Sequence, residues 1–308
     1  MIAAVPTYFA NLANRGVLKL EGPQAMSFLQ GQTTCDLELL AQDRAIAGAY
    51  CTAQGRMVCD FRIFTTGAES YLMQMPRDVC ASALAVFAKY IVFSKAEMTD
   101  DSANWQQFAV WGESAASDLG LADMPVNQTR KDGDCFWLRV EGELPRFEVC
   151  VPASAAADFA LDLANRFQSR SESDWQLGEI DQGIGHVHAE TIESFLPQML
   201  NYQVTDRVSF TKGCYTGQEV VARMHYRGKL KRMMYRATVK GEAPAAGTAL
   251  LGAGSEQAVG SVINAASCAG ETRLLAVIKT DALAAGIHLS TRDGPLLEIL
   301  DLPYSTDS

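Results

Sequence analysis

The sequence predicts an α+β fold, with two related α/β parts built from antiparallel sheets and helices, followed by a small antiparallel β-barrel. Three observations predict it. Runs rich in β-branched and aromatic residues alternate with amphipathic stretches over residues 1–228. One strand–proline–helix pattern occurs twice, 76 positions apart. From residue 229 onward, five short strand-like runs follow one another with little helix between them. The length of 308 residues suits about two domains. A content of 48% hydrophobic and 20% charged residues supplies a core and excludes a globally disordered chain.

Taken in order, Gly22-Pro23 opens a helix carrying Ala25, Phe28 and Leu29. Proline suits the first helical position, where its missing N–H would have had no partner. Arg62-Ile63-Phe64-Thr65 and Phe108-Ala109-Val110-Trp111 read as strands. Tyr71-Leu72-Met73-Gln74-Met75 is a short apolar strand running into Pro76, then a helix with Val79, Ala83, Val86, Phe87 and Tyr90 on one face. Phe147-Glu148-Val149-Cys150-Val151 repeats the pattern into Pro152 and a helix bearing Phe159, Leu163 and Phe167. A duplicated β/α module explains the shared order; chance recurrence of a common junction is the other reading. The expected barrel strands are Met233 to Val239, Ala258 to Asn264, Thr272 to Lys279, Ile287 to Thr291 and Leu296 to Leu300, with an Asp293-Gly294 hairpin signal before the last. The expected domains are therefore 1–228 and 229–308.

Composition narrows the function classes. The longest apolar candidate, Val79 to Phe93, is interrupted by Lys89 and falls short of the ~18–20 residues that cross a bilayer. Met1 to Pro6 lacks the basic start of a secretory signal. A cytoplasmic, monomeric protein without a membrane partner is expected. Eight cysteines, at 35, 51, 59, 80, 135, 150, 214 and 268, form no C-x-x-C and suggest neither a disulfide framework nor a zinc site. His186 and His188 lack a third ligand nearby, so no metal is expected there. Net charge is −10, yet Arg207 to Arg236 holds eight basic residues against one acid, Glu219, a local charge of +7 that leaves −17 elsewhere. Such an island reads as a localised anion site or as a solvated charged face.

The densest motif is Ser209-Phe210-Thr211-Lys212-Gly213-Cys214-Tyr215-Thr216-Gly217-Gln218-Glu219. Two glycines permit a tight loop that presents a thiol beside a cation. The lysine precedes the first glycine and no Gly-Lys-Ser/Thr follows, so it is not a phosphate-binding P-loop. Lys212 and the nearby arginines are expected to favour the thiolate of Cys214; a structural turn around an inert thiol is the alternative.

Lys212 to Glu219, with Val220-Val221-Ala222-Arg223 and Tyr226-Arg227-Gly228, resembles the signature of the YgfZ family, folate-binding proteins related to the aminomethyltransferase (T protein) of the glycine cleavage system. Leu20-Glu21-Gly22 through Phe28 to Leu37, Gly48 to Cys51 with Gly55-Arg56 and Phe61 to Phe64, and Phe195-Leu196-Pro197-Gln198 with Asn201 carry the resemblance across the chain from about residue 18. It implies a ring-like aminomethyltransferase-type fold around an opening that holds tetrahydrofolate or a derivative, with a mono- or polyglutamate tail. By position, Trp175 is the implied folate-contacting aromatic and Asp181 the implied pterin carboxylate. Arg223 and Arg227 are expected to meet the anionic tail, and Tyr215 and Gln218 to line the ligand. Two places depart from the family pattern: Asn14-Arg15-Gly16-Val17 holds no aromatic, and aspartate replaces glutamate at 181.

The implied function is that of a folate-dependent accessory protein supporting iron–sulfur cluster assembly or repair and, through cluster enzymes, tRNA modification, with Cys214 as the functional thiol. A folate-dependent aminomethyl transferase is the alternative. Direct nucleic-acid binding is not expected, because aromatic residues in the basic island are few (Tyr215, Tyr226, Tyr235) and the pI is near 4.9.

Overall fold

A computed structural model describes residues 6–228, 230–253, 256–268 and 270–306. Lys229 of the basic island and the leader expectation at residues 1–5 lie outside the described residues. The chain divides into two units. The first runs to Gln30 and resumes over Leu37–Ala47 and Phe61–Trp175; the second holds Gly31–Asp36, Gly48–Asp60 and the chain from Gln176 onward.

Strand β1 (Tyr8–Asn11) precedes two successions of like elements. The first is β2 (Arg15–Glu21), α1 (Ala25–Gln30), β3 (Ile46–Cys51), β4 (Met57–Gly67), β5 (Ser70–Pro76), α2 (Cys80–Ile91) and β6 (Glu97–Asp100). The second is β7 (Trp105–Trp111), α3 (Ala115–Asp118), β8 (Thr129–Asp132), β9 (Cys135–Val140), β10 (Arg146–Pro152), α4 (Ala156–Arg166) and β11 (Gln168–Ser169). Their sheets run β3-β4-β5-β2-β6 and β8-β9-β10-β7-β1-β11, so the first four strands correspond one to one. In the second sheet β1 takes the place of β6, and β11 joins it in parallel.

The correspondence reaches single residues. Arg15–Glu21 pairs with Pro76–Ser70 over seven positions, and Trp105–Trp111 pairs with Pro152–Arg146 over seven. Each prolyl residue ends its strand, where the missing N–H costs the ladder least. Each leading strand is followed by a glycine at positive φ, Gly22 at 120° and Gly112 at 140°. Gln74 and Cys150 stand equally far from these prolines, and Gln74 Nε2 lies 3.2 Å from Cys150 Sγ. Residues at equivalent positions of the two successions thus meet. Buried Gln74 also donates to Gln107 Oε1 at 2.9 Å, linking β5 to β7. Around this pair Val17, Phe64 and Leu72 of one sheet pack with Ala109, Phe136 and Leu138 of the other. The helical stripes are narrower than their sequence pattern suggests: α2 buries Cys80, Ala83 and Phe87, while Tyr90 is exposed.

In the second unit follow α6 (Gln218–Arg227), β12 (Arg232–Lys240), β13 (Ala249–Gly252), β14 (Ala258–Cys268), β15 (Glu271–Lys279), β16 (Ile287–Leu289) and β17 (Glu298–Leu300). Helix α5 (Glu172–Asp181) carries the chain from the first unit into the second. The C-terminal sheet, ordered β16-β13-β14-β15-β12-β17, is antiparallel and curls into a half-barrel. One run ties its two edges: Leu289 N–H donates to Pro295 O, Leu297 N–H donates to Ile287 O, and Glu298–Leu300 pairs with β12. Its core is aliphatic, with Val239, Leu250, Val262, Leu274 and Ile278 inward. Strand β13 is an addition to the five expected. Ending at Gly252, its four residues are too few to show an alternation. Among the described residues, no helix is long and apolar enough to cross a membrane.

Candidate functional site

The cysteine motif is a loop whose inward side chains anchor it and whose outward ones face solvent. Thr34 does the first part of the anchoring. Its hydroxyl donates to Arg207 O at 2.7 Å, and its carbonyl accepts the Ser209 N–H at 2.8 Å. Lys212 then turns inward. Its Nζ donates to Thr33 O at 2.8 Å and Cys35 O at 2.7 Å, and the residue is 8% exposed. A charged donor on two carbonyls makes stronger bonds than a neutral one. Contrary to the expectation that Lys212 stands beside the Cys214 thiol, its ammonium is engaged beneath the loop, where it acts on Cys35. Burial pushes the Cys35 thiol up to about 11, against the pull of the Thr33 hydroxyl and Lys212. Tyr215 is also buried; desolvation raises its phenol, and its hydroxyl has no partner among the described residues.

Gly217 ends the loop at φ 84° as the N-cap of α6. A Cβ there would collide with the Thr52 carbonyl and stand 3.2 Å from Gly55 Cα. Gly55, at φ 72°, would in turn bring a Cβ to 3.1 Å from Val220. The two glycines let the start of α6 lie directly on the turn at Thr52–Arg56, which accounts for both. Gly213 is different: it has no positive φ and a Cβ would meet open space. On the far side of α6, buried Gln198 donates to Val221 O at 2.6 Å.

Cys214 is exposed and forms no hydrogen bond among the described residues. Gln218 is half-buried in the first turn of α6, and Arg223 and Arg227 are exposed one turn apart. Neither arginine has an ion-pair partner among the described residues. Phe210 stacks on His225 with centroids 3.8 Å apart and planes at 13°, and Tyr226 stands edge-on to both, 67% exposed. Sequence reading missed this cluster, because Phe210 and His225 are 15 positions apart.

The two implied ligand residues of α5 are engaged in the fold. Trp175 is 1% exposed, 5.5 Å from Trp111 by ring centroids, with the Arg146 guanidinium 3.8 Å over its ring. Arg146 also donates to the Trp175 carbonyl at 3.0 Å, and the indole Nε1 has no partner among the described residues. Asp181 is half-buried and accepts from Arg273 at 2.6 Å, with Arg236 Nη1 3.5 Å from its other oxygen.

A second polar centre had no signal in the sequence beyond the His-x-His pair. Asp60, 1% exposed, accepts the Val187 N–H at 2.7 Å and His186 Nδ1 at 2.6 Å. The ring's Nε2 faces Glu179 at 3.4 Å. Desolvation would raise the Asp60 carboxyl, but His186, the Val187 N–H and Arg207 outweigh it and hold it below the ordinary value. Glu179 and His188 line an adjoining cavity of about 240 Å³. No group of three or more His, Cys, Asp or Glu side chains among the described residues is arranged so that it could hold a metal ion.

No protein-family model matches the sequence. Curated relatives do. The tRNA-modifying protein YgfZ of Serratia proteamaculans is 32% identical over 309 residues, covering 98% of this chain and 93% of that protein. The protein of the same name from Yersinia enterocolitica is 33% identical over 314 residues, with the same coverage. That of Colwellia psychrerythraea is 34% identical over 240 residues, 76% of this chain and 72% of its own. Among solved structures, the glycine cleavage system aminomethyltransferase T from Bartonella henselae shares the fold, with a TM-score of 0.73 over 98% of this chain and 87% of that chain at 14% identity. Similarity at this level over nearly the whole length shows that the chain belongs to the YgfZ family.

Proposed function

We propose that this chain is a folate-binding accessory protein that supports tRNA modification by way of iron–sulfur enzymes, with Cys214 as its working thiol. The observation that carries the reading is the asymmetry of the cysteine loop. Lys212, Tyr215 and Gly217 hold it from beneath, while Cys214 faces solvent with no packing task. A loop held so firmly around a free thiol is suited to presenting it. The relatives' name supplies the tRNA context, and the aminomethyltransferase fold fits tetrahydrofolate, the ligand implied by the sequence resemblance.

The residues fit that ligand unevenly. Arg223 and Arg227, exposed and unpaired among the described residues, suit a glutamate or polyglutamate tail. Gln218 and Tyr215 belong to the same stretch of chain. For the pterin end, Asp181 would serve only by giving up Arg273, and Trp175 only by being uncovered from Arg146. One-carbon transfer, the alternative, needs a carboxylate open to the ligand; Asp60 has both oxygens occupied and gives that reading no support.

Anaerobic calorimetric titration with mono- and polyglutamyl tetrahydrofolate tests the ligand. Arg223→Ala and Arg227→Ala are expected to weaken the polyglutamyl form more than the monoglutamyl form. Equal losses would remove the tail assignment, and no binding to the unaltered protein would remove folate. Mass spectrometry of tRNA nucleosides from cells relying on Cys214→Ala protein tests the thiol: a normal modification profile would overturn its role.

A further inference from the structure

We propose that the outer face of α6 is a binding surface for single-stranded RNA, with Tyr226 as its base-stacking platform and Arg223 and Arg227 as its phosphate contacts. Positions 223, 226 and 227 are spaced i, i+3, i+4 and therefore form one stripe on the helix. All three are exposed, and neither arginine has an ion-pair partner among the described residues.

Two features single out RNA among polyanions. The first is the aromatic cluster. Phe210 lies flat on His225 at 3.8 Å, and Tyr226 meets both rings edge-on, with centroids 4.8 Å from His225 and 6.2 Å from Phe210. The ring is thus held in place while 67% of the residue faces solvent. A fixed, exposed aromatic between two arginines matches the stacking-plus-backbone design of single-strand binders. The second feature is charge. Of the island's cations, Arg207 and Lys212 are buried and Arg236 faces Asp181, which leaves Arg223 and Arg227 turned outward on α6 with the exposed acid Glu219, on a chain that carries −17 outside the island and so repels a polyanion elsewhere. Lys231 and Arg232, also without ion-pair partners among the described residues, continue the island past the helix. Of the island's few aromatics Tyr215 is buried, whereas Phe210 and His225 stand beside Tyr226.

A polyglutamyl tail would use the same arginines but has no ring to stack, so Tyr226 separates the two ligands. The test is fluorescence anisotropy of the full chain with a single-stranded RNA of about 12 nucleotides, and with a polyglutamate peptide as the base-free polyanion. No folate is present, so failure here leaves the folate reading standing. Tyr226→Ala is expected to weaken RNA about tenfold and leave the peptide unchanged, while Tyr226→Phe retains RNA affinity. Arg223→Gln is expected to weaken both probes and to reduce the salt slope for RNA by about 0.7. RNA affinity indifferent to Tyr226→Ala, a Tyr226→Ala loss equal for RNA and the peptide, or no RNA binding at low salt would each overturn the proposal.

Discussion

Helix α5 and the loop leading into α6 carry the two halves of the site implied by resemblance, and they differ in what their side chains are doing. On α5, Trp175 is packed under Arg146, Glu179 faces His186 and Asp181 holds Arg273. In the cysteine loop and α6, Lys212 and Tyr215 turn inward, whereas Cys214, Arg223 and Arg227 turn outward. Residues of equal standing in a motif thus divide into those that hold the fold and those that face solvent. Substitutions on α5 should register first as lost stability, and outward substitutions in the loop and α6 as lost function with stability kept.

The largest effect is expected at Trp175. Trp175→Ala removes an indole from a core that includes Leu12, Phe136 and Leu138, and should cost about 3–5 kcal/mol in chemical denaturation. Trp175→Phe should restore part of it. A loss below about 1 kcal/mol would break the comparison, because so small a cost is that of a residue outside the core.

Asp60 comes next. Asp60→Asn leaves an acceptor for the Val187 N–H but removes the charge facing His186, at about 3 kcal/mol for breaking a buried pair. The sign of the pH dependence follows from the direction of the shift. A carboxyl held below its ordinary 3.8 contributes stability that is fully present above that value and lost as pH falls through its folded value. The gap between the unaltered protein and Asp60→Asn should therefore narrow as pH falls below 3.8. A gap independent of pH down to the acid limit would deny Asp60 its charge. Lys212→Met, which takes the donor from Thr33 O and Cys35 O, should cost about 2 kcal/mol. A stability-neutral Lys212→Met would move that lysine to the outward group and break the division within the loop.

How much of this was legible in the sequence depends on how far apart the interacting residues lie. The strand–proline–helix repeat was local, seven or so residues at a time, and the matching registers at Pro76 and Pro152 bear it out. Five of the six C-terminal strands were long or apolar enough to read, while β13 was not. The cysteine motif was legible as a motif, but the direction of each side chain was not. Lys212 reaches carbonyls almost 180 positions earlier, and nothing near it in sequence announces them. Trp175 looked like a ligand aromatic by position, and only the arrival of Arg146 and Trp111 from distant strands shows its ring covered. The same limit hid the Asp60–His186–Glu179 contacts and the Phe210–His225 stack.

The smallest stability effect, and the sharpest test of the comparison, belongs to Cys214. Lys212, Tyr215, Thr216 and Gly217 are held by hydrogen bonds, buried packing or backbone contact, whereas Cys214 is exposed and bonded to nothing among the described residues. Cys214→Ala deletes one exposed sulfur, so its unfolding free energy should match the unaltered protein within about 0.5 kcal/mol. If the thiol is what the loop is built to present, the same variant should lose tRNA modification in cells. Lys212→Met should show the reverse emphasis, with a lower melting point and a loss of function that recovers at reduced temperature, where the weakened loop is still folded. A Cys214→Ala protein that melts early would turn the thiol into a packing residue. The outward half of the site would then rest on α6 alone.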